Sequence, residues 1–181
     1  MKRTNKNFDN RFPLWLACGL KDEIRTGLHN IMFANGYAYA TNSYILVKAR
    51  LTDISDFDEQ DLALLDGKFI NGNNFKKIVK SKGIVNITED AIEVIETDYS
   101  VRYPLLEGII FPDCERVLTS TDEVSLQPEF GLAAHNLDLL SDVMDCCAGV
   151  RMEWRSNNKF IVRPIGGAKD IRGMIMTKMI Y

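Results

Sequence analysis

The sequence predicts an α+β fold built on antiparallel sheet. Three observations predict it: an Asn35-Gly36 pair between two β-rich runs, short strands that follow one another as meanders, and a helical pattern ahead of each meander, three times along the chain. At 181 residues, 46% hydrophobic and 26% charged, the chain can bury a real core. Disorder, collagen-like repeats and a dominant coiled coil are excluded by the same composition.

The first unit opens with Phe12, Pro13, Leu14, Trp15, Leu16, Leu20 and Ile24, whose three- and four-residue spacings predict a helix over 12–25 that ends near Thr26-Gly27. Strands are expected over 28–34 and 37–41, because both central residues of a type I′ hairpin need positive φ and Asn-Gly supplies them. A third strand follows over 44–51. The run 53–66 carries six acidic residues and few aromatics, so it reads as a solvated connector with one short helical turn.

The second unit repeats the pattern. Phe69-Ile70 is strand-like, Asn73 or Asn74 can cap a helix through Lys80, and Gly83 stops it. Strands follow over 84–88, 91–96 and 99–106. In the third unit a short strand over 129–133 precedes a helix over 137–144 with His135 or Asn136 near its start, and Gly149 ends it. Strands over 150–154, 159–164 and 173–179 complete three βαβββ-like units, each helix covering one face of a sheet.

Net charge is −3 (22 Lys+Arg against 25 Asp+Glu), so no global field draws polyanions. A local basic patch is still allowed, since phosphate attraction acts within a Debye length of about 8–10 Å. Cys18, Cys114, Cys146 and Cys147 form no C-x-x-C pair, and reduced thiols are expected. No apolar run is long enough to span a bilayer and the basic N-terminus lacks a signal-peptide core, so the expectation is a soluble cytoplasmic protein without membrane association.

Catalytic readings are weak. His135 with Asp138, or Cys146-Cys147 with His135, could be cast as base and nucleophile, but thiols closing a Leu/Val/Met-rich helix fit burial better. No zinc-ligand spacing occurs, and Gly72 and Gly166-Gly167 do not follow a strand and open a helix as a phosphate loop does. Neither an enzyme nor a cofactor is expected.

The segment Arg102 to Leu118, with Glu107-Gly108-Ile109-Ile110-Phe111-Pro112-Asp113-Cys114 at its centre, resembles the domain connection of the bacterial DNA polymerase III beta subunit, the sliding clamp. One residue is inserted at Ile109-Ile110, and Cys114 stands where that family has tyrosine. Ala40 to Val47 is similar to the family's Ala-Thr-Asp-Gly-His-Arg-Leu-Ala strand, with Ser43-Tyr44 at the basic pair. The third unit resembles the last βαβββ of a clamp, with Val150 to Glu153 after its helix and Met174 to Met179 as its final strand. The match begins near Asn10 and implies a clamp-like member of half length. Residues 1–118 would form a clamp-like domain of two units, and 119–181 a third unit standing as a half-domain.

That resemblance implies a DNA-associated scaffold without catalysis, with duplex DNA and a polymerase or other clamp-binding protein as partners. Its helices would meet phosphates through lysines and arginines without reading bases. The candidates are Lys76, Lys77, Lys80 and Lys82 on or after the second helix, with Arg11, Lys21 and Arg25 on the first. Four lysines on an exposed helix are also what a plain solvated face looks like. Asp138, Asp142 and Asp145 on the third helix oppose DNA contact and favour the alternative, a clamp-fold interaction module that binds only protein.

A soft apolar wall for partner peptides is expected from Met174, Met176, Met179, Ile180 and Tyr181, which could equally alternate between core and an oligomer edge. Rings of that wider fold close with about twelve units, so three per chain would need about four chains, while a dimer that never closes fits as well; self-association is expected.

Overall fold

The computed structural model describes residues 6–119, 131–145, 149–155, 159–165 and 170–177. Strands β1 (Asn30–Ala34), β2 (Tyr37–Thr41) and β3 (Ile45–Arg50) form the first meander. Asn35 and Gly36 turn its hairpin with φ of 53° and 77°, as a type I′ turn demands. Two short helices, α1 (Leu51–Ile54) and α2 (Glu59–Ala63), cross the acidic connector. Asp58 caps α2 by accepting the Asp61 amide at 3.0 Å, and Lys6 ties Asp58 and Asp61 together at 2.5 and 2.7 Å.

The second unit runs β4 (Phe69–Asn71), α3 (Gly72–Lys80), β5 (Ile84–Ile87), β6 (Ala91–Ile95) and β7 (Ser100–Pro104). Helix α4 (Cys114–Thr119) follows it. The third unit contributes α5 (Ala134–Val143), β8 (Val150–Arg155), β9 (Lys159–Pro164) and β10 (Ile171–Met176). Of its expected opening strand over 129–133, Gly131 is a bridge residue, 132 and 133 are not strand, and positions 129 and 130 lie outside the described residues. The boundary read at 118/119 falls inside α4.

The helix expected over 12–25 is replaced by two 3₁₀ turns, Leu14–Ala17 and Thr26–His29. Between them the Asp22 carboxylate accepts the amides of Ile24 and Arg25 at 3.1 and 2.8 Å, and the Gly19 amide bonds to the Leu28 carbonyl at 2.8 Å. Local side-chain bonds of this kind compete with helix propagation. Helix α3 starts earlier than expected because Asn71, not Asn73 or Asn74, is its cap, accepting the Asn73 amide at 3.0 Å.

One seven-stranded antiparallel sheet has the order β4-β1-β2-β3-β10-β9-β8, and β5-β6-β7 form a second sheet. The first and third meanders are therefore joined edge to edge by β3 and β10, with Val47 opposite Gly173 and Leu46 opposite Met174. The pairing occupies one edge of the third unit that sequence reasoning leaves open for a partner. At the other end, a bridge between Phe69 and Leu106 covers part of β4.

Alternation gives the large sheet two apolar faces. Ile31, Phe33, Ala38, Ile45, Val47, Phe160, Val162, Ile171 and Ile175 turn inward to the main core. There they meet Phe75 and Ile78 of α3, Leu140 and Val143 of α5, Leu14 of the first 3₁₀ turn, and Val85, Ile92 and Val94 of the small sheet. On the outward face Tyr39, Leu46, Ile161 and Met174 form a second cluster with Cys114, closed by Phe111, Val117 and Leu118. The segment 105–119 is thus a strap across the outside of the sheet.

Polar contacts fix that strap. Lys48 reaches Glu115 at 2.6 Å, the Tyr39 hydroxyl donates to the same carboxylate, and buried Lys159 donates to the Val117 carbonyl at 2.9 Å. Burial raises the Glu115 pKa, but the bonds from Lys48 and Tyr39 outweigh it and hold the carboxyl below its usual range. A depressed folded pKa contributes stability above the ordinary glutamate value near about 4.3, lost as pH falls through the folded value. Glu115→Gln should therefore lower the urea midpoint at pH 7, and the gap from wild type should narrow as pH drops below about 4. A gap independent of pH would remove the strap's electrostatic anchor.

Candidate nucleic-acid interface

Helix α3 separates its residues by chemistry. Phe75, Ile78 and Val79 are buried at i, i+3, i+4, while Lys76, Lys77 and Lys80 are exposed on the opposite side. Lys77 and Lys80 lie in the last turn, where the helix dipole favours cations. Lys80 sits 5.9 Å from the Trp15 ring, and Lys82 follows the helix, exposed. Among the described residues none of these four lysines has a carboxylate partner.

The 3₁₀ turn Leu14–Ala17 lies between α3 and α5 and opens a cleft of about 550 Å³ beside the lysines. Lys21, Arg25 and Lys76 share its lining with Trp15, Tyr44 and His135. The sequence candidates from two units are thus brought to one place. They are not equally free. Arg25 is 2.6 Å from Asp22 and donates to Ser43 Oγ at 2.7 Å, and Arg11 is 2.6 Å from Asp9. The backbone amide of Arg25, then its guanidinium, hold the Asp22 carboxyl below the usual range, so Arg25 is largely neutralised. Lys21, Lys76, Lys77, Lys80 and Lys82 carry the charge left uncompensated among the described residues. Asp138 and Asp142 are exposed on α5 and bound the basic surface on that side; Asp145 is half-buried beyond the helix end.

The methionine wall divides. Met174 is buried beneath the strap, Met176 is 36% exposed on the same face, and Met179, Ile180 and Tyr181 lie outside the described residues. A more open apolar groove of about 520 Å³ lies elsewhere, between Ile24, Gly27 and Leu28 on one side and Ile110, Phe111 and Pro112 on the other. Ile24 and Ile110 are 93% and 94% exposed. Gly27 is required there, because a Cβ would come within 2.3 Å of the Ile110 carbonyl oxygen. Sequence reasoning missed this groove, although the inserted residue at Ile109-Ile110 marked the place.

Of the catalytic alternatives, His135 and Asp138 share the lining of an open pocket on α5 with Ser141. Cys18 and Cys114 are buried free thiols pushed up to about 12 by burial, the opposite of an activated nucleophile, and Cys146-Cys147 lie outside the described residues. Among the described residues no cluster of His, Cys, Asp and Glu could hold a metal, and no helix is long and apolar enough to cross a membrane.

Comparison with solved structures gives the architecture its place. The beta subunit of DNA polymerase III from Thermotoga maritima superposes with a TM-score of 0.61 at 11% identity, covering 97% of this chain and 64% of that one. The fold is that of a bacterial sliding clamp. The sliding clamps of Pseudomonas aeruginosa and Bacillus subtilis give TM-scores of 0.59 and 0.57, each at 13% identity over 97% of this chain, and 66% and 64% of theirs. The chain therefore spans about two thirds or less of the clamps it matches. No protein-family model and no curated protein matches the sequence. At this identity the clamp likeness is one of fold, and the basic cleft and the apolar groove are features of this chain's own residues.

Proposed function

We propose that this chain is a non-catalytic clamp-fold scaffold that holds duplex DNA loosely against the α3 face and tethers a protein partner at the groove between Ile24 and Ile110. The observation that carries the reading is the lysine face of α3, three lysines with Lys82 just after the helix, which among the described residues have no carboxylate partner, beside a cleft that adds Lys21. Side chains that are flexible point charges, with no base-reading group fixed among them, suit sequence-independent contact with phosphates. The clamp fold supports it, since the matched proteins are DNA polymerase III beta subunits and sliding clamps. Labelled duplex should bind at about 50 mM salt and release as salt rises. Absence of binding at low salt would sink the DNA reading.

A protein-only scaffold is the second reading, favoured by the near-complete exposure of Ile24 and Ile110 and by Asp138 and Asp142 on the neighbouring helix. It predicts no duplex binding at any salt concentration. In either reading self-association is proposed, to about four chains for a ring of about twelve units, or to an open dimer. The repeat division into 1–118 and 119–181 belongs to the same proposal. A strictly monomeric mass at high concentration would remove encirclement while leaving simple DNA contact intact.

A further inference from the structure

The outward face of the large sheet carries a row of cations that the α3 reading does not use. Register places them: Tyr39 pairs with Lys48, Lys48 with Arg172, and Arg163 with Arg151. Continuing the β9–β10 register one residue past the Gly173–Val162 pair sets Arg172 beside Arg163. Lys48, Arg172, Arg163 and Arg151 therefore stand in line across four adjacent strands, about 14 Å end to end at the usual strand spacing. Their faces agree, because Val162, Gly173 and Met152 turn to the helix side while Ile161 and Met174 turn out.

Like charges opposite one another in a sheet are destabilising, so a run of four needs compensation or a ligand. Compensation is incomplete. Glu115 serves Lys48 at 2.6 Å; Asp170 is shared between Arg50 at 2.8 Å and Arg172 at 3.4 Å; Glu153 is shared between Arg155 at 2.6 Å and Arg163 at 3.8 Å. Arg151 has no carboxylate partner among the described residues. Counting Arg50 and Arg155, six cations face three carboxylates among the described residues, a surplus of three there on a chain whose net charge is −3. Arg163 and Arg172 are 46% and 45% exposed, open to an incoming anion.

We infer that this arginine row is a second, outer binding surface for the phosphodiester backbone of nucleic acid. Guanidinium forks suit phosphate oxygens. The row runs across a sheet face and not along an edge, so an acidic peptide lying on it would find no backbone hydrogen bonds of the kind that edge pairing supplies. No exposed aromatic lies in the row to stack bases: the Tyr37 and Tyr39 hydroxyls are bonded to Asp170 and Glu115, and Trp154 turns to the other face. The contact is therefore with the backbone and independent of sequence.

The test is salt-dependent binding of a labelled duplex by the full chain, its Arg151→Gln/Arg163→Gln/Arg172→Gln variant, the Lys76→Glu/Lys77→Glu/Lys80→Glu variant, and the two combined. Loss of three phosphate contacts should reduce the slope of log K against log salt by about 2.7, at about 0.9 per contact. The lysine variant should keep residual low-salt binding that the combined variant loses, and Arg→Lys at the same three positions should retain most of the slope. A slope unchanged by the arginine substitutions, in variants with native circular dichroism, would overturn the inference. So would an oligoglutamate peptide binding with the same arginine dependence while duplex does not. Because the lysine variant reads the α3 surface separately, failure of either surface is visible without the other.

Discussion

Replacing Phe75 with alanine should destabilise the protein by about 3–5 kcal/mol, the largest loss expected from a single side chain here. Phe75 is 1% exposed, and its ring lies 4.8 Å from Phe8, 6.4 Å from Trp15 and 6.5 Å from Phe33. Those three rings come from the N-terminal segment, where Phe8 bridges to Ser55, the first 3₁₀ turn and β1, so Phe75 is the point at which α3 is pinned to the large sheet. The cavity would have aromatic walls supplied by three separate elements, which cannot all collapse into it. Against a total stability of about 5–15 kcal/mol this is a large fraction, visible as a fall in Tm of about 6–20 °C. Phe75→Leu should cost much less, since most of the volume is retained. A loss below about 1 kcal/mol for the alanine variant would mean that α3 is held by something other than this cluster.

Reversing charge at Lys76, Lys77 and Lys80 should lower duplex affinity by about three orders of magnitude at about 50 mM salt. Each phosphate contact contributes about 0.9 to the salt slope, so three contacts account for about three powers of ten between that concentration and 1 M. These side chains are exposed, and among the described residues they have no carboxylate partner to lose, so the cost to stability should be confined to the helix end, about 0.3–1 kcal/mol at each of positions 77 and 80, where the dipole favours cations. Arg25→Ala should do far less to binding, because its guanidinium is already engaged by Asp22 and Ser43. Equal effects from Arg25 and from the α3 lysines would contradict this division of the charge.

Much of the fold is legible in local sequence. The hairpin at Asn35-Gly36, the three meanders and the amphipathic pattern of α3 each rest on signals within a few residues, and each lies within one to three residues of its expected bounds. The first helix is misread for a physical reason. Leu14, Trp15 and Ala17 are buried in a 3₁₀ turn whose spacing mimics the start of a helix, and the Asp22 carboxylate then captures the amides that a longer helix would need.

The less legible features depend on register between distant segments. Met174 alternates outward, as its position in the final strand implies, yet it is buried because β3 brings Leu46 beside it and the strap brings Cys114 and Val117 over it. Nothing local to residues 174–176 signals that cover. The arginine row has the same origin: Lys48, Arg151, Arg163 and Arg172 come from four strands and become one surface only when the first and third meanders pair. The α3 lysines were visible because one helix carries them. Lys21 and His135 join them only through the seating of the 3₁₀ turn between α3 and α5.

The claim that duplex DNA lies against the α3 face is tested most directly by lysine footprinting, in which acetylation of each lysine is quantified by mass spectrometry with and without saturating duplex. Lys76, Lys77 and Lys80 should lose reactivity when duplex is bound, and Lys21 in the shared cleft should follow them. Lys6, held by Asp58 and Asp61 on the acidic connector, should be unchanged. Bound duplex that leaves all three α3 lysines as reactive as in the free protein would contradict the account.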